Sequence, residues 1–263
     1  MKPTPSIGTP PTKTLNSPSL DLSTSVCVKR ALWLLSISVL VAFLSGLFFS
    51  FFEVYSPDFE EDIPNPFIIE PALLIMGLTG IVLYVVALHN QRTLSTLCAH
   101  GFAVCQGIVL GGLSCYTWSI FPNIMFQSIG LTTLGLALTW SGYQNGWLRP
   151  NPFFRSLIRF LVGAICLWYM YTFIAYVFWH IEFELIYGNT WTGIAFSGTI
   201  ALIACLETLV CLQDIDEYES YLQATNFSEE MEWFFALELM AGIIWVYIEI
   251  IVMCFKWQMK TDV

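Results

Sequence analysis

The sequence predicts an all-α integral membrane protein that crosses the bilayer seven times as a helical bundle. Three observations predict it. Apolar residues make up 56% of the 263 residues and charged residues only 11%, far below the roughly 25% of an average soluble domain. Seven apolar stretches are each long enough to cross a hydrocarbon core, which takes about 20 helical residues. Lys and Arg gather at alternate ends of those stretches, as they do in cytoplasmic loops.

The elements follow in order. Residues 1–28 are rich in Pro, Ser and Thr and hold no apolar run, so they read as a disordered cytoplasmic tail and not as a signal peptide. Residues 29–258 form the seven-transmembrane-helix domain, and 259–263 a short C-terminal tail. The spans read as Ala31–Phe52, Phe67–Leu88, Leu94–Thr117, Ile120–Trp140, Phe153–Trp179, Thr190–Leu212 and Trp233–Phe255. Runs of this length in lipid are helical, because each backbone group must find its partner within the segment. A β-barrel would need shorter, alternating segments. Mean hydropathy is +0.68, and the spans leave no room for a sizeable extra soluble domain.

Orientation follows from the basic residues. Lys2, Lys13, Lys29 and Arg30 precede span one, Arg92 lies between spans two and three, and Arg149, Arg155 and Arg159 surround the start of span five. A cytoplasmic N-terminus puts all eight on one side. The opposite loops, 53–65 and 180–189, carry acids and no Lys or Arg. Lys256 and Lys260 break the pattern. Either the C-terminus is an exception to it or the last helix does not fully cross, and seven full spans is the reading taken. The net charge of −10 repels nucleic acid. Its acids lie mostly in loops, at 53–62, 182–184 and 214–232. Eight cysteines show neither a disulfide framework nor metal-ligand spacing and read as small buried apolar residues.

Two patterns of small residues mark helix contacts. Gly193, Ser197, Ala201 and Cys205 recur every four residues along span six, and Gly107 with Gly111 forms a GxxxG in span three. Both let backbones approach closely, and the longer series puts span six near the centre of the bundle.

Ionisable residues inside spans are costly and mark function by default. Glu207 lies in span six, Glu238 and Glu249 in span seven, and Asp214 at the inner end of span six. Glu207 and Asp214 are two turns apart on one face, and Glu238 and Glu249 three turns apart on another. Counted from the inner ends of antiparallel neighbours, Glu207 and Glu238 both lie about six residues, or roughly 9 Å, deep. Two carboxylates at one depth can share a proton, hold a cation when ionised and release it when protonated. The bland alternative is that each acid separately meets a hydroxyl or backbone group. No HExxH, GxSxG or P-loop is present, so the chain reads as no enzyme. No cofactor and no firm metal site are expected, a calcium ion apart.

These residues resemble those of the Bax inhibitor-1 (transmembrane Bax inhibitor motif) family. Its third span is similar to the segment from Phe102 through Gly107 to Tyr116, and its fourth to Phe126-Gln-Ser-Ile-Gly130 and Thr139-Trp-Ser-Gly142-Tyr143. The Tyr-Asp-Thr-Gln motif of its sixth is matched by Leu206-Glu207-Thr208-Leu209, and the Leu-Tyr-Leu-Asp of its seventh by Phe235-Ala236-Leu237-Glu238. Both family aspartates are glutamates here. Asp214 is a rival match for the first and Glu249 for the second, and Arg92 is a candidate for the family's basic partner. The resemblance implies two three-helix layers around a central C-terminal helix. It also implies a pH-sensitive cation leak, chiefly for calcium, with Glu207 and Glu238 as the sensing pair. The rival reading is a non-conducting interaction protein that modulates a membrane protease or a death-pathway partner. The absence of sequons outside Asn226-Phe-Ser228 favours a bacterial inner membrane over the endoplasmic reticulum.

Overall fold

The computed structural model describes residues 26–54, 66–90, 94–181, 183, 188, 190–222 and 229–261. Seven helices are found among them and no strand: α1 (Val26–Val54), α2 (Pro66–His89), α3 (Ser95–Ile120), α4 (Pro122–Gln144), α5 (Pro152–Trp179), α6 (Trp191–Leu222) and α7 (Glu229–Thr261). Six are long and apolar enough to cross a membrane, and the part of α2 from Leu73 to His89 is a shorter apolar helix. Most of the N-terminal tail, residues 55–65, Arg92 and residues 223–228 lie outside the described residues.

Local sequence sets the helix ends. Phe121 alone separates α3 from α4, in an extended conformation with φ −140° and ψ 86°. Pro122 disfavours helical backbone in the residue before it and then opens α4. Asn151 caps α5, its side chain accepting from Phe154 N at 2.8 Å, with Pro152 in the first turn. Gly146 takes the positive φ of 74° that the turn after α4 requires.

Helices α6 and α7 run past the apolar stretches read from the sequence, α6 to Leu222 and α7 from Glu229 to Thr261. Their charges are accommodated by neighbouring helices and not by loops. This corrects the placement of Lys256, read as following span seven. It lies within α7 and is only 4% exposed, because its ammonium finds acceptors on α6.

Helix α7 packs against α1, α3, α4 and α6, while α1 and α2 both lean on α3 and α5 leans on α6. Ala236, Leu237 and Met240 of α7 are fully buried. Outward faces carry large apolar residues, such as Phe43 of α1, Leu138 of α4 and Phe160 and Phe178 of α5, as lipid contact demands.

The closest approach is between α1 and α3, at the GxxxG. A Cβ on Gly107 would stand 2.7 Å from the Ser38 carbonyl oxygen and from Val41 Cβ, and one on Gly111 would collide with Ser45 Oγ and the Ala42 carbonyl. Ser38 Oγ donates across this seam to the Ala103 carbonyl at 2.8 Å. The α6 series faces other helices too. Ser197 is buried and accepts from Lys256 of α7 at 2.9 Å, and a Cβ on Gly135 of α4 would meet Cys205 Sγ at 3.6 Å.

Candidate functional site

The inner ends of α5, α6 and α7 converge on charged residues. Arg155 and Arg159 stand one turn apart on α5, so they share a face. Asp214 and Glu217 stand three residues apart on α6 and share a face in turn. The two faces meet. Arg155 and Arg159 both pair with Asp214, and Arg155 Nη1 donates to Glu217 Oε1 at 2.7 Å. Gln213 Nε2 adds a bond to the same Glu217 oxygen at 3.2 Å. On the other flank the Tyr143 hydroxyl of α4 donates to Asp216 Oδ2 at 3.0 Å. The Asp214 side chain is 12% exposed and that of Arg159 51%, so the cluster runs from the bundle to its margin.

Asp214, Arg159 and Glu217 line an open cleft of about 440 Å³ together with Tyr218, Phe234, Phe235 and Glu238. Tyr218 and Phe235 stack at 4.6 Å between ring centroids and form its apolar wall. The cleft therefore holds Glu238 of α7 and Asp214 of α6 with a cation, Arg159, beside them.

The register between α6 and α7 sets which carboxylate of α6 stands nearest the level of Glu238. Thr208 Oγ1 lies 3.1 Å from where a Cβ on Gly242 would sit, so these two positions are level. The helices are antiparallel, so Glu238, four residues before Gly242, is level with Leu212. At 1.5 Å per residue Asp214 is then about 3 Å from that level and Glu207 about 7.5 Å. Lys256 checks the register from the other end. It counts level with Ile194, and it bonds Gly193 and Ser197. Depth counted from the ends of the apolar stretches made Glu207 level with Glu238; the true helix ends lie elsewhere. Glu207 sits deeper, partly buried, and its Oε2 has no hydrogen-bond partner among the described residues.

Glu249 lies in the opposite half of α7. Its Oε1 accepts from the Tyr169 hydroxyl of α5 at 2.8 Å and from Trp245 Nε1 at 3.1 Å. It does not join the cleft. Arg92 lies outside the described residues, so the basic partner expected there is not placed. Arg155 and Arg159 are the cations that meet the acids. In the sequence they served only to orient the chain, yet two arginines four apart facing two acids three apart on the next helix carried the signal. Among the described residues no group of three or more His, Cys, Asp or Glu is arranged to hold a metal ion.

A second polar junction holds the start of α7. Arg30 of α1 pairs with Glu232 at 3.0 Å and lies 4.6 Å over the Trp233 ring. The Glu230 carboxylate accepts from Ser95 Oγ at 2.9 Å and from Thr96 N at 2.8 Å. An acid of α7 thus satisfies donors in the first turn of α3.

No curated protein and no solved structure matches this chain. A family model described as Bax inhibitor 1 like matches residues 8–258, nearly the whole length. The chain is an integral, multi-pass membrane protein of the Bax inhibitor 1 like family.

Proposed function

We propose that the protein is a pH-sensitive cation leak, chiefly for calcium, in which Glu238 and Asp214 form the sensing pair at the inner cleft and Glu207 is the next carboxylate inward. The observation that carries this reading is the cleft itself, where Glu238 of α7 faces the Asp214 that two arginines of α5 hold. In this reading calcium is cargo.

The chemistry follows from charge. With Glu238 protonated, its hydroxyl can donate to the Asp214 carboxylate, and the seam between α6 and α7 closes through that bond. With Glu238 ionised, the two carboxylates repel across the cleft they share and the arginines offset them. That state favours separation of the helices and attracts a cation into the cleft. Glu207, whose Oε2 has no hydrogen-bond partner among the described residues, receives the cation next in this reading. Flux therefore rises as pH rises, over the window of about pH 5 to 8 in which carboxylates in low-dielectric surroundings can titrate.

The bundle geometry goes with this reading. Helix α7 touches helices on several sides, in keeping with two three-helix layers around a central seventh. The membrane we assign is the bacterial inner membrane. The experiment is calcium flux against pH in vesicles containing the purified chain. A rise with pH that Glu238→Gln flattens supports the reading. A chain that passes no cation at any pH returns the function to a non-conducting interaction protein.

A further inference from the structure

The half of α7 away from the cleft holds a second pair of buried ionisable side chains. Glu249 is eleven residues beyond Glu238, about 16 Å along the helix, and only 4% exposed. Its two oxygens differ. Oε1 accepts from the Tyr169 hydroxyl and Trp245 Nε1, whereas Oε2 is buried and has no hydrogen-bond partner among the described residues. Both donors to Oε1 are neutral, so they orient the carboxylate without cancelling its charge. Lys256 follows two turns later on the same face, also 4% exposed. Its ammonium donates to Ser197 Oγ at 2.9 Å and to the Gly193 carbonyl at 3.3 Å. The small residues of α6 make room for it there.

A buried carboxylate with one oriented oxygen and one unpartnered oxygen is an incomplete site. We propose that Glu249 is a cation-binding site in the half of the bundle opposite the cleft, that it takes one small monovalent cation such as sodium at Oε2, and that the charge of Lys256 opposes its binding. One carboxylate among neutral groups suits a monovalent ion. Calcium takes six to eight oxygens, usually with several carboxylates among them, and no such group stands among the described residues. The Lys256 ammonium already occupies the kind of place a cation wants, a backbone carbonyl and a hydroxyl. Its charge, about 10 Å from Glu249 along the helix, lowers the affinity for a second cation. At an effective dielectric constant of about 20, a unit charge at that distance changes affinity by about tenfold. The site does not require that the protein conduct.

The test is the melting temperature of the full chain in detergent against sodium chloride, at constant ionic strength balanced with N-methyl-D-glucamine chloride. The wild type should gain stability as sodium replaces the bulky cation. Lys256→Gln should show the same gain at about tenfold lower sodium, and Glu249→Gln should show none. A sodium response in Glu249→Gln equal to that of the wild type overturns the proposal. So does a Lys256→Gln midpoint that stays put or moves to higher sodium. Should Glu249→Gln fail to fold, Tyr169→Phe is read in its place. It keeps the carboxylate and releases a donor from Oε1, so its sodium midpoint should shift; an unchanged midpoint overturns the site.

Discussion

Thr208 of α6 and Gly242 of α7 stand directly opposite one another, with only 3.1 Å between the threonine Oγ1 and the place a Cβ on the glycine would occupy. This contact sets the register of the two helices that carry the intramembrane acids. It puts Asp214, and not Glu207, nearest the level of Glu238. A bulky residue at Gly242 should push the helices apart and disturb that alignment.

The glycines of α3 and α4 make the first prediction. A methyl group on Gly111 would collide with Ser45 Oγ and the Ala42 carbonyl, whereas one on Gly130 would meet nothing within 4 Å. Gly111→Ala should therefore destabilise by about 1–3 kcal/mol through overpacking. Gly130→Ala should be neutral or stabilise by up to about 1 kcal/mol through helix propensity. Thermal unfolding of both variants in detergent measures the difference, and equal shifts would speak against the α1–α3 seam.

The second prediction concerns Asp214 and its arginines. Asp214→Asn keeps the shape but leaves Arg155 and Arg159 without the charge they share. Removing one partner of a partly buried group typically costs about 1–3 kcal/mol. A double-mutant cycle of Asp214→Asn with Arg155→Gln should show clear coupling, whereas Asp214→Asn with Arg30→Gln, whose partner is Glu232, should be additive. Coupling of equal size in both cycles would contradict the inner cluster.

The third prediction concerns Glu230. Its carboxylate accepts from Ser95 Oγ and Thr96 N at the start of α3, so Glu230→Ala should remove a helix cap. The typical loss is about 0.5–2 kcal/mol. Hydrogen exchange should speed up in the first turn of α3 and leave the far end of α7 unchanged; no change near Thr96 would count against the contact.

The fourth prediction concerns topology. Asn145 is exposed in the turn after α4, on the side to which the basic residues assign the cytoplasm. A cysteine at this position should react with a membrane-impermeant maleimide only when the reagent reaches the inner face of sealed vesicles. Labelling from outside alone would invert the orientation.

Much of this architecture was legible because lipid leaves few choices. An apolar run such as Ala31–Phe52 can only be a helix there, and α1 contains it. The helix ends were less legible. Span six was read as ending at Leu212, where the acids begin, but α6 continues to Leu222 because Arg155, Arg159 and Tyr143 meet Asp214, Glu217 and Asp216. Those partners come from helices distant in sequence, and only tertiary packing brings them in. The same extension of α6 moves the depth count on which the pairing of Glu207 with Glu238 was based. Lys256 was misplaced for a related reason: a lysine after an apolar run reads as a flank, and its acceptors on Gly193 and Ser197 lie about 60 residues back. The GxxxG of span three was visible as a pattern; its partner surface on α1 repeats small residues at the same spacing, Ser38, Ala42 and Gly46, and that series went unread.

The most direct measurement of the central claim is calcium flux against pH in vesicles containing the wild type, Glu238→Gln, Asp214→Asn or Glu207→Gln. The account predicts that wild-type flux rises between about pH 5 and 8 as the pair ionises. Glu238→Gln should flatten that rise, because the amide keeps the shape and cannot titrate. Asp214→Asn should blunt it, since Asp214 is the charge that Glu238 faces. Glu207→Gln should lower flux at every pH while leaving the pH midpoint in place. A Glu238→Gln variant with the full wild-type pH response, or a Glu207→Gln variant that alone abolishes it, would contradict the pairing of Glu238 with Asp214.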